Sequence, residues 1–483
     1  MTPPASSPTS AAPAFVPDPR IALSLPIAAS AVPASAVPAS AVPASAVPAP
    51  AASVRVLAPA ALPAPAAVPP SGAGPGAGPG AGAGVVARGG GPGLAVAAGR
   101  RAAAPQAQVP HLRPAVTELR LSAYGVHRAA RFVLEPVTLF AGPSGSGKSQ
   151  ALEAYEALAT LAAGATLEEA FPEPAARIPD LAVPDAVRRR GFRLGCTAEG
   201  PAGPVRLDLA VQAEPALRIV GERLSVDGEI LLSTALRDPG RRSVQAAWLT
   251  GGATGVTKAP LPDDRLGTAL LPLRVAGATD GQRRVLAAAE QMVVALRSVF
   301  PCDPRPERMR EPVAPGEGRL LGDCANLADV LRRTRLECGT RYGLLTEAAR
   351  RGCAGGVAGL DVRAPEGGPV TGLLDRGPER PATELARLGA GELRFLALAL
   401  VLLTGPGVLA MDPAAELLSA RQVLTVLADG FDRDLDRGQA AELLRLAVLA
   451  CGRGQVRLAA SVGEACAAAA REVEGVSVVD LMP

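Results

Sequence analysis

Lysine is almost absent from this chain of 483 residues. Only Lys148 and Lys258 are lysines among its 49 basic residues, so arginine carries nearly every positive charge. Histidine is equally scarce: with only His111 and His127 beside seven scattered cysteines, no zinc site with recognisable ligand spacing can be assembled. The single asparagine, Asn326, is followed by leucine, which excludes an Asn-Lys-x-Asp guanine-reading motif and with it a GTPase.

Aromatic and large aliphatic residues are rare in the first 112 residues, which consist mainly of Ala, Pro, Gly, Ser and Val. ASAVP repeats in tandem over residues 29–48, and a glycine-rich run follows at residues 72–84. Such a composition buries too little apolar surface to offset the entropy of ordering, so we predict a disordered tail over residues 1–112. The tail also lacks a basic start followed by one apolar stretch, so we do not expect a signal peptide.

Strong charge and long apolar runs are missing as well. The net charge is only +3 with both signs interspersed, which gives no support to nucleic-acid binding. The most apolar run, residues 396–411, is interrupted by Thr404-Gly405-Pro406-Gly407, so we expect no membrane span. Unpaired, scattered cysteines are typical of reduced thiols, and we expect a cytoplasmic protein.

Lys148 stands in a glycine-rich segment, Gly142-Pro143-Ser144-Gly145-Ser146-Gly147-Lys148-Ser149, which is a complete G-x-x-x-x-G-K-[ST] phosphate-binding pattern. A β-branched and aromatic run at residues 137–141 leads into the pattern, and strong helix formers follow it. Strand, glycine loop and helix in this order are the context that a phosphate loop requires. A compact ammonium reaches between two phosphates where a planar guanidinium would crowd them, which explains why the rare lysine stands here.

The pattern predicts that MgATP binds at this loop. Lys148 is also the expected catalytic cation, and Ser149 is the expected hydroxyl ligand of Mg²⁺. The residues expected to cradle the phosphates are Gly142, Pro143, Ser144, Gly145, Ser146, Gly147, Lys148, Ser149 and Gln150.

Residues 113–483 predict an α/β domain with a large insert at about residues 165–380. The insert combines antiparallel strands, with a tight turn at Asp227-Gly228, and helical stretches at residues 283–298 and 326–351. The last hundred residues return to an α/β pattern, for which we predict a helix at 391–404, a strand at 408–411, helices at 420–430 and 438–450, and strands at 456–461 and 476–481.

Two further motifs follow the insert. Val408-Leu409-Ala410-Met411-Asp412 is an apolar run that ends in a carboxylate, and Asp412 is our predicted magnesium ligand beside Ser149. Just before it, Leu388-Gly389-Ala390-Gly391-Glu392-Leu393-Arg394 places a glycine turn at the start of an apolar helix, where free amides favour an anion. Each motif also has a structural interpretation, as an ordinary core strand and an ordinary helix N-terminus.

This order of motifs resembles the ABC-type ATPases, and among them the RecF/SMC/OLD-like group of AAA family ATP-binding proteins. The resemblance covers roughly residues 116–480. It implies a P-loop NTPase head with an antiparallel β lobe and a helical insert, which binds ATP and Mg²⁺ and dimerises around the nucleotide. It also implies that Gly389, Gly391 and Glu392 form the signature turn that closes over ATP bound to the other subunit.

Three positions depart from the pattern of that group. Gly389 replaces the usual serine of the signature turn, Pro413 follows Asp412 where the group has its catalytic glutamate, and Ser461 ends the strand where the group has a switch histidine. Glu416 is the candidate substitute base, with helix capping as its alternative role, and Glu392 is a further candidate. Because a missing general base costs roughly 10²–10⁴ in rate, we predict slow ATP hydrolysis.

Other functions stay open at this stage. An ATP-dependent switch or scaffold that does not hydrolyse ATP, with the insert contacting an unknown protein partner, is the main alternative. A small-molecule P-loop kinase is the next one, although such kinases lack the signature turn.

Overall fold

Two large sheets organise the computed structural model, which describes residues 113–251, 255–411 and 422–482. The predicted disordered tail, residues 1–112, lies outside the described residues. The strands are β1 (Ala115–Tyr124), β2 (His127–Val133), β3 (Val137–Ala141), β4 (Arg190–Glu199), β5 (Val205–Glu214), β6 (Arg218–Val226), β7 (Glu229–Ala235), β8 (Ser243–Leu249), β9 (Val256–Pro262), β10 (Val299–Pro301), β11 (Gly359–Arg363), β12 (Thr371–Asp375), β13 (Thr383–Glu384), β14 (Leu424–Ala428), β15 (Val456–Ser461) and β16 (Ser477–Asp480).

The helices surround these strands. They are α1 (Lys148–Ala162), α2 (Leu167–Ala170), α3 (Gly267–Leu270), α4 (Asp280–Arg297), α5 (Pro306–Met309), α6 (Leu327–Glu337), α7 (Gly339–Gly352), α8 (Ala390–Leu402), α9 (Arg437–Cys451) and α10 (Glu464–Ala470). In the described part of the chain, no helix is both long enough and apolar enough to cross a membrane.

The larger sheet is antiparallel and has the order β2-β1-β4-β5-β6-β7-β8-β9. Strand β8 alternates buried and accessible residues, as expected where one face of a sheet covers a core. That core packs against α1 and α4. The predicted turn between β6 and β7 is confirmed: Asp227 and Gly228 both have positive φ, 49° and 82°, and connect Val226 directly to Glu229. Strands β1 and β2, which precede the phosphate loop, belong to this same sheet.

The second sheet is parallel and carries the phosphate loop. Its order is β10-β14-β15-β3-β16, and β3 and β14 are buried along their whole length. Helix α1 packs on β14 and β15, whereas α9 packs on β15 and β3. The carboxyl ends of β3, β14 and β15 meet at one edge of the sheet, because these strands are parallel. In open α/β sheets, ligands bind at this edge.

Two predicted elements of the C-terminal part are wrong. Residues 408–411 do not form a strand: a 3₁₀ turn covers Pro406–Val408, and Leu409 makes only an isolated bridge with Leu320. The segment predicted as a helix at 420–430 instead contains strand β14. Tertiary context decides both outcomes, because β10 occupies the sheet position beside β14 and leaves no place there for the earlier apolar run.

Candidate functional site

The loop between β3 and α1 adopts a conformation that depends on glycine. Gly142, Gly145 and Gly147 have φ angles of 139°, 85° and 91°, a region that side chains with a Cβ disfavour. A Cβ on Gly142 would also lie only 2.3 Å from the carbonyl oxygen of Leu481. Gly147 is the N-cap of α1, so the first amides of this 15-residue helix face the loop.

The polar groups of the loop fit a phosphate. The Lys148 ammonium folds back over the loop and donates to the carbonyl oxygens of Gly142, at 2.7 Å, and Pro143, at 3.0 Å. The Ser146 hydroxyl is buried and has no hydrogen-bond partner within the described residues. Together with the helix amides, this cation and this unpaired hydroxyl form a donor set suited to phosphate oxygens.

Ser149 connects the loop to the parallel sheet. Its hydroxyl donates to the carboxylate of Asp429, with 3.0 Å to each carboxylate oxygen. Asp429 directly follows β14, and the Ser461 hydroxyl at the end of β15 donates to the same carboxylate at 2.5 Å. Ser461 in turn accepts from the amide of Gly430 at 2.7 Å. A carboxylate and a hydroxyl beside a phosphate loop are the ligand types that Mg²⁺ prefers.

Asp429 was not predicted from the sequence, whose pattern indicated Asp412 instead. Asp412, Pro413 and Glu416 lie outside the described residues, so the structure gives no position for them. The signal for Asp429 was present, because residues 424–429 are also an apolar, β-branched run ending in aspartate. Two runs of the same kind compete in the sequence, and sheet pairing puts the second one opposite Ser149.

The residue after Asp429 provides no side chain. It is Gly430, with a left-handed φ of 64°. Arg394 of α8 fixes the backbone here: it is almost fully buried and donates to the carbonyl oxygens of Gly430, at 2.9 Å, and Arg433, at 3.1 Å. Arg394 of α8 thereby holds the start of this helix against the segment that follows Asp429.

The predicted signature turn forms the N-terminus of α8, with an exposed Gly389 as its N-cap. Glu392 uses its carboxylate on backbone amides, accepting from Gly389 at 3.3 Å and from Ala354 at 3.0 Å. This occupation argues against Glu392 as a substitute base. Gly391 packs so closely that a Cβ there would lie 2.2 Å from the carbonyl oxygen of Asp434.

The β1–β2 turn supports the loop from the other side. The Nε2–H of His127 donates to the carbonyl oxygen of Gly147 at 3.0 Å, and the Gln150 side chain accepts from the amide of Val126 at 2.9 Å. Burial lowers the pKa of His127 below its usual value, and the hydrogen bond to Gly147 opposes this only in part. Tyr124, at the end of β1, is a core residue packed edge-on against Phe192, with 5.2 Å between ring centroids.

A magnesium site here would be completed by the nucleotide and water. Within the described ranges, no group of three or more His, Cys, Asp or Glu side chains could hold a metal ion. Mg²⁺ in nucleotide sites typically uses one or two protein ligands plus phosphate oxygens and water, and Ser149 and Asp429 match that number.

No protein-family model and no curated protein sequence matches the chain. Solved structures with partial similarity include an SMC head bound to the C-terminal winged-helix domain of ScpA, at 12% identity and a TM-score of 0.40 over 72% of this chain and 90% of that one. The SMC head domain from Thermotoga maritima overlaps at 15% identity and a TM-score of 0.33, over 76% and 99% of the two chains. An SMC head with an extended coiled coil from Pyrococcus furiosus, bound to the C-terminal domain of ScpA, gives 10% identity and a TM-score of 0.41, over 76% and 93%.

Proposed function

We propose that this protein binds MgATP between the phosphate loop and the carboxyl end of β14. One contact carries the proposal: Ser149, the residue after the loop lysine, is hydrogen-bonded to Asp429 from a strand two positions away in the sheet. Nothing in local sequence brings these residues together, since they are 280 positions apart. A site for MgATP requires a carboxylate beside the phosphate loop, whereas a glycine-rich turn that occurs by chance does not require one.

In this proposal the magnesium carboxylate is Asp429 rather than Asp412. Lys148 leaves its two loop carbonyl oxygens and binds phosphate oxygens, while the Ser149 hydroxyl turns from Asp429 to the metal. Bound Mg²⁺ neutralises the phosphate charge and orients the terminal phosphate. The chain supplies the positions of Ser149, Asp429 and Ser461, which are already connected by hydrogen bonds.

Hydrolysis is slow in this proposal because, among the described residues, neither the one after Asp429 nor the one at the end of β15 supplies a general base. Gly430 follows Asp429 and has no side chain, and Ser461 offers a hydroxyl that is already committed to Asp429. The loss of a general base costs roughly 10²–10⁴ in rate. Turnover should therefore fall below about one per second, the low end of ordinary enzyme rates. The same observation favours the second candidate, an ATP-dependent switch that does not hydrolyse its nucleotide.

ATP closes two copies of the chain into a dimer in this proposal. The resemblance to ABC-type ATPases motivates it, and the exposed turn at Gly389 is consistent with it, because a solvent-facing helix N-terminus offers amides to a partner's phosphate. The signature contribution then comes from the amides of the turn, since the carboxylate of Glu392 is engaged within its own subunit.

The test is an ATP titration with and without Mg²⁺, combined with a measurement of molecular mass and of phosphate release. We expect saturable MgATP binding, a doubled mass and slow turnover for the native chain, and none of these for Lys148→Ala. Absence of ATP binding at millimolar nucleotide, or binding that survives Lys148→Ala, would refute the function. If turnover is fast and Lys148→Ala abolishes it, the proposed binding site stands but slow hydrolysis is refuted. If ATP forms a stable dimer and no phosphate is released, the protein is the switch that does not hydrolyse its nucleotide.

A further inference from the structure

On the solvent-facing side of the antiparallel sheet, one row of paired residues crosses all eight strands, and most of its members are polar. The strand register aligns, from β2 to β9, Arg131, Arg120, Gly195, Asp208, Arg223, Ser233, Ala247 and Lys258. This face points away from the core that packs against α1 and α4. The row holds four cations and one carboxylate, so its charge is far less balanced than that of the whole chain.

The two halves of this face differ in how their cations are neutralised. In the half formed by β2, β1, β4 and β5, the cations have acidic partners. Glu118 pairs with Arg120 and with Arg131, and Asp208 pairs with Arg120 and with Arg206. Surface ion pairs of this kind leave little net field.

In the β6–β9 half, the described strand residues on this face include no carboxylate. The cations there are Arg223, Lys258 and, just after β7, Arg237. The neighbouring acid Asp238 is already paired with Arg241 at 3.2 Å. Positive charge therefore stays uncompensated at this end of the sheet.

A depression of about 340 Å³ lies at this basic end. Its lining combines the small residues Ala235 and Ala247 with the longer side chains of Arg237, Gln245 and Lys258. Ser233 also lines it. Two cations of different shape and a hydroxyl around a shallow cavity form an arrangement suited to a phosphate group.

The residue choice in this lining is informative. Lys258 is the only lysine of the chain besides Lys148 of the phosphate loop. A chain that uses arginine nearly everywhere else places a compact, flexible ammonium at both positions, and an ammonium binds phosphate as a point charge without requiring fork geometry. We propose that this depression, the β7–β9 pocket, is a second phosphate-binding site, distinct from the ATP site. The phosphate belongs either to a small free ligand or to a phosphodiester backbone.

The test uses the full chain with Lys148→Ala, so that the phosphate loop does not contribute. Pyrophosphate and a short single-stranded oligonucleotide are titrated separately by calorimetry. We expect at least one of them to bind, and adding Lys258→Ala to weaken that binding about tenfold or more, as expected for one lost charge-assisted contact. Binding of pyrophosphate identifies a small ligand, and binding of the oligonucleotide alone identifies a backbone.

Arg131→Ala is the matched control, because it removes one charge from the opposite end of the same row, where Glu118 already pairs with it. It should change affinity little, whereas Lys258→Arg, which keeps the charge but loses the compact ammonium, should retain only part of the affinity. If Arg131→Ala weakens binding as much as Lys258→Ala, the effect is general charge attraction and the site is refuted. No binding of either probe in the Lys148→Ala chain refutes it as well.

Arg237→Ala serves as a second variant if Lys258→Ala does not fold. ATP binding by Lys258→Ala with Lys148 intact tests the phosphate loop independently of the β7–β9 pocket.

Discussion

Asp429→Asn tests whether Asp429, the proposed magnesium ligand, or Asp412, the ligand expected from the sequence, binds the metal. The substitution keeps the shape of the side chain but removes its charge. Amide oxygens are weak ligands for Mg²⁺ compared with carboxylates, so ATP binding should no longer be strengthened by the metal. Binding of metal-free ATP should persist, because the loop and Lys148 are unchanged.

The cost to folding follows from the two hydroxyls that donate to Asp429, those of Ser149 and Ser461. Hydrogen bonds to a charged group contribute about 1.5–3 kcal/mol, against about 0.5–1.5 kcal/mol for neutral pairs. Losing the charge at two such bonds should lower the free energy of unfolding by about 2 kcal/mol. Urea unfolding measures this value, and calorimetric titration of ATP with and without Mg²⁺ measures the binding effect.

Asp412→Asn is the paired control and should leave both measurements as in the native chain. The reasoning fails if Asp429→Asn keeps the full magnesium enhancement, or if Asp412→Asn loses it. If Asp429→Asn lowers only the free energy of unfolding and Mg²⁺ still strengthens ATP binding, Asp429 has a structural role and is not the magnesium ligand.

Two further predictions concern the surroundings of the site. Gly391→Ala should lower the free energy of unfolding in urea by about 1–3 kcal/mol, because the new Cβ would overlap the carbonyl oxygen of Asp434. Gly389→Ala should be tolerated, because the nearest atom to a Cβ there, Oε2 of Glu392, is 3.9 Å away. Equal losses of stability in the two variants would contradict this difference in packing. The pKa of His127 is lowered in the folded state, below the value of about 6.5 that an unfolded histidine has. Just below pH 6.5 the unfolded chain therefore binds a proton that the folded chain does not. The free energy of unfolding should then fall as the pH decreases from about 6.5. His127→Gln should reduce this slope in unfolding measured between pH 7 and pH 5, and an unchanged slope would show that other groups cause it.

The sequence by itself determined the local parts of this site. The phosphate loop is contiguous, its glycines permit the positive φ angles that the turn requires, and the flanking strand and helix follow from β-branched and helix-forming residues. The β6–β7 turn and the glycine-capped start of α8 are local in the same sense, since each depends on neighbours within a few residues. The expectation of slow hydrolysis, which the sequence based on Pro413, stays a prediction, because Pro413 and Glu416 lie outside the described residues.

Only the tertiary structure decided which residues meet at the loop. Residues 408–412 and 424–429 are both apolar runs ending in aspartate, and nothing in either run says which one enters the sheet. Pairing of β14 between β10 and β15 selects the second run and brings Asp429 to Ser149. In the same way, only the fold shows that His127 supports Gly147 and that the carboxylate of Glu392 caps backbone amides. Local propensity depends on a few neighbours in the chain, whereas these contacts depend on strand pairing and burial across hundreds of residues.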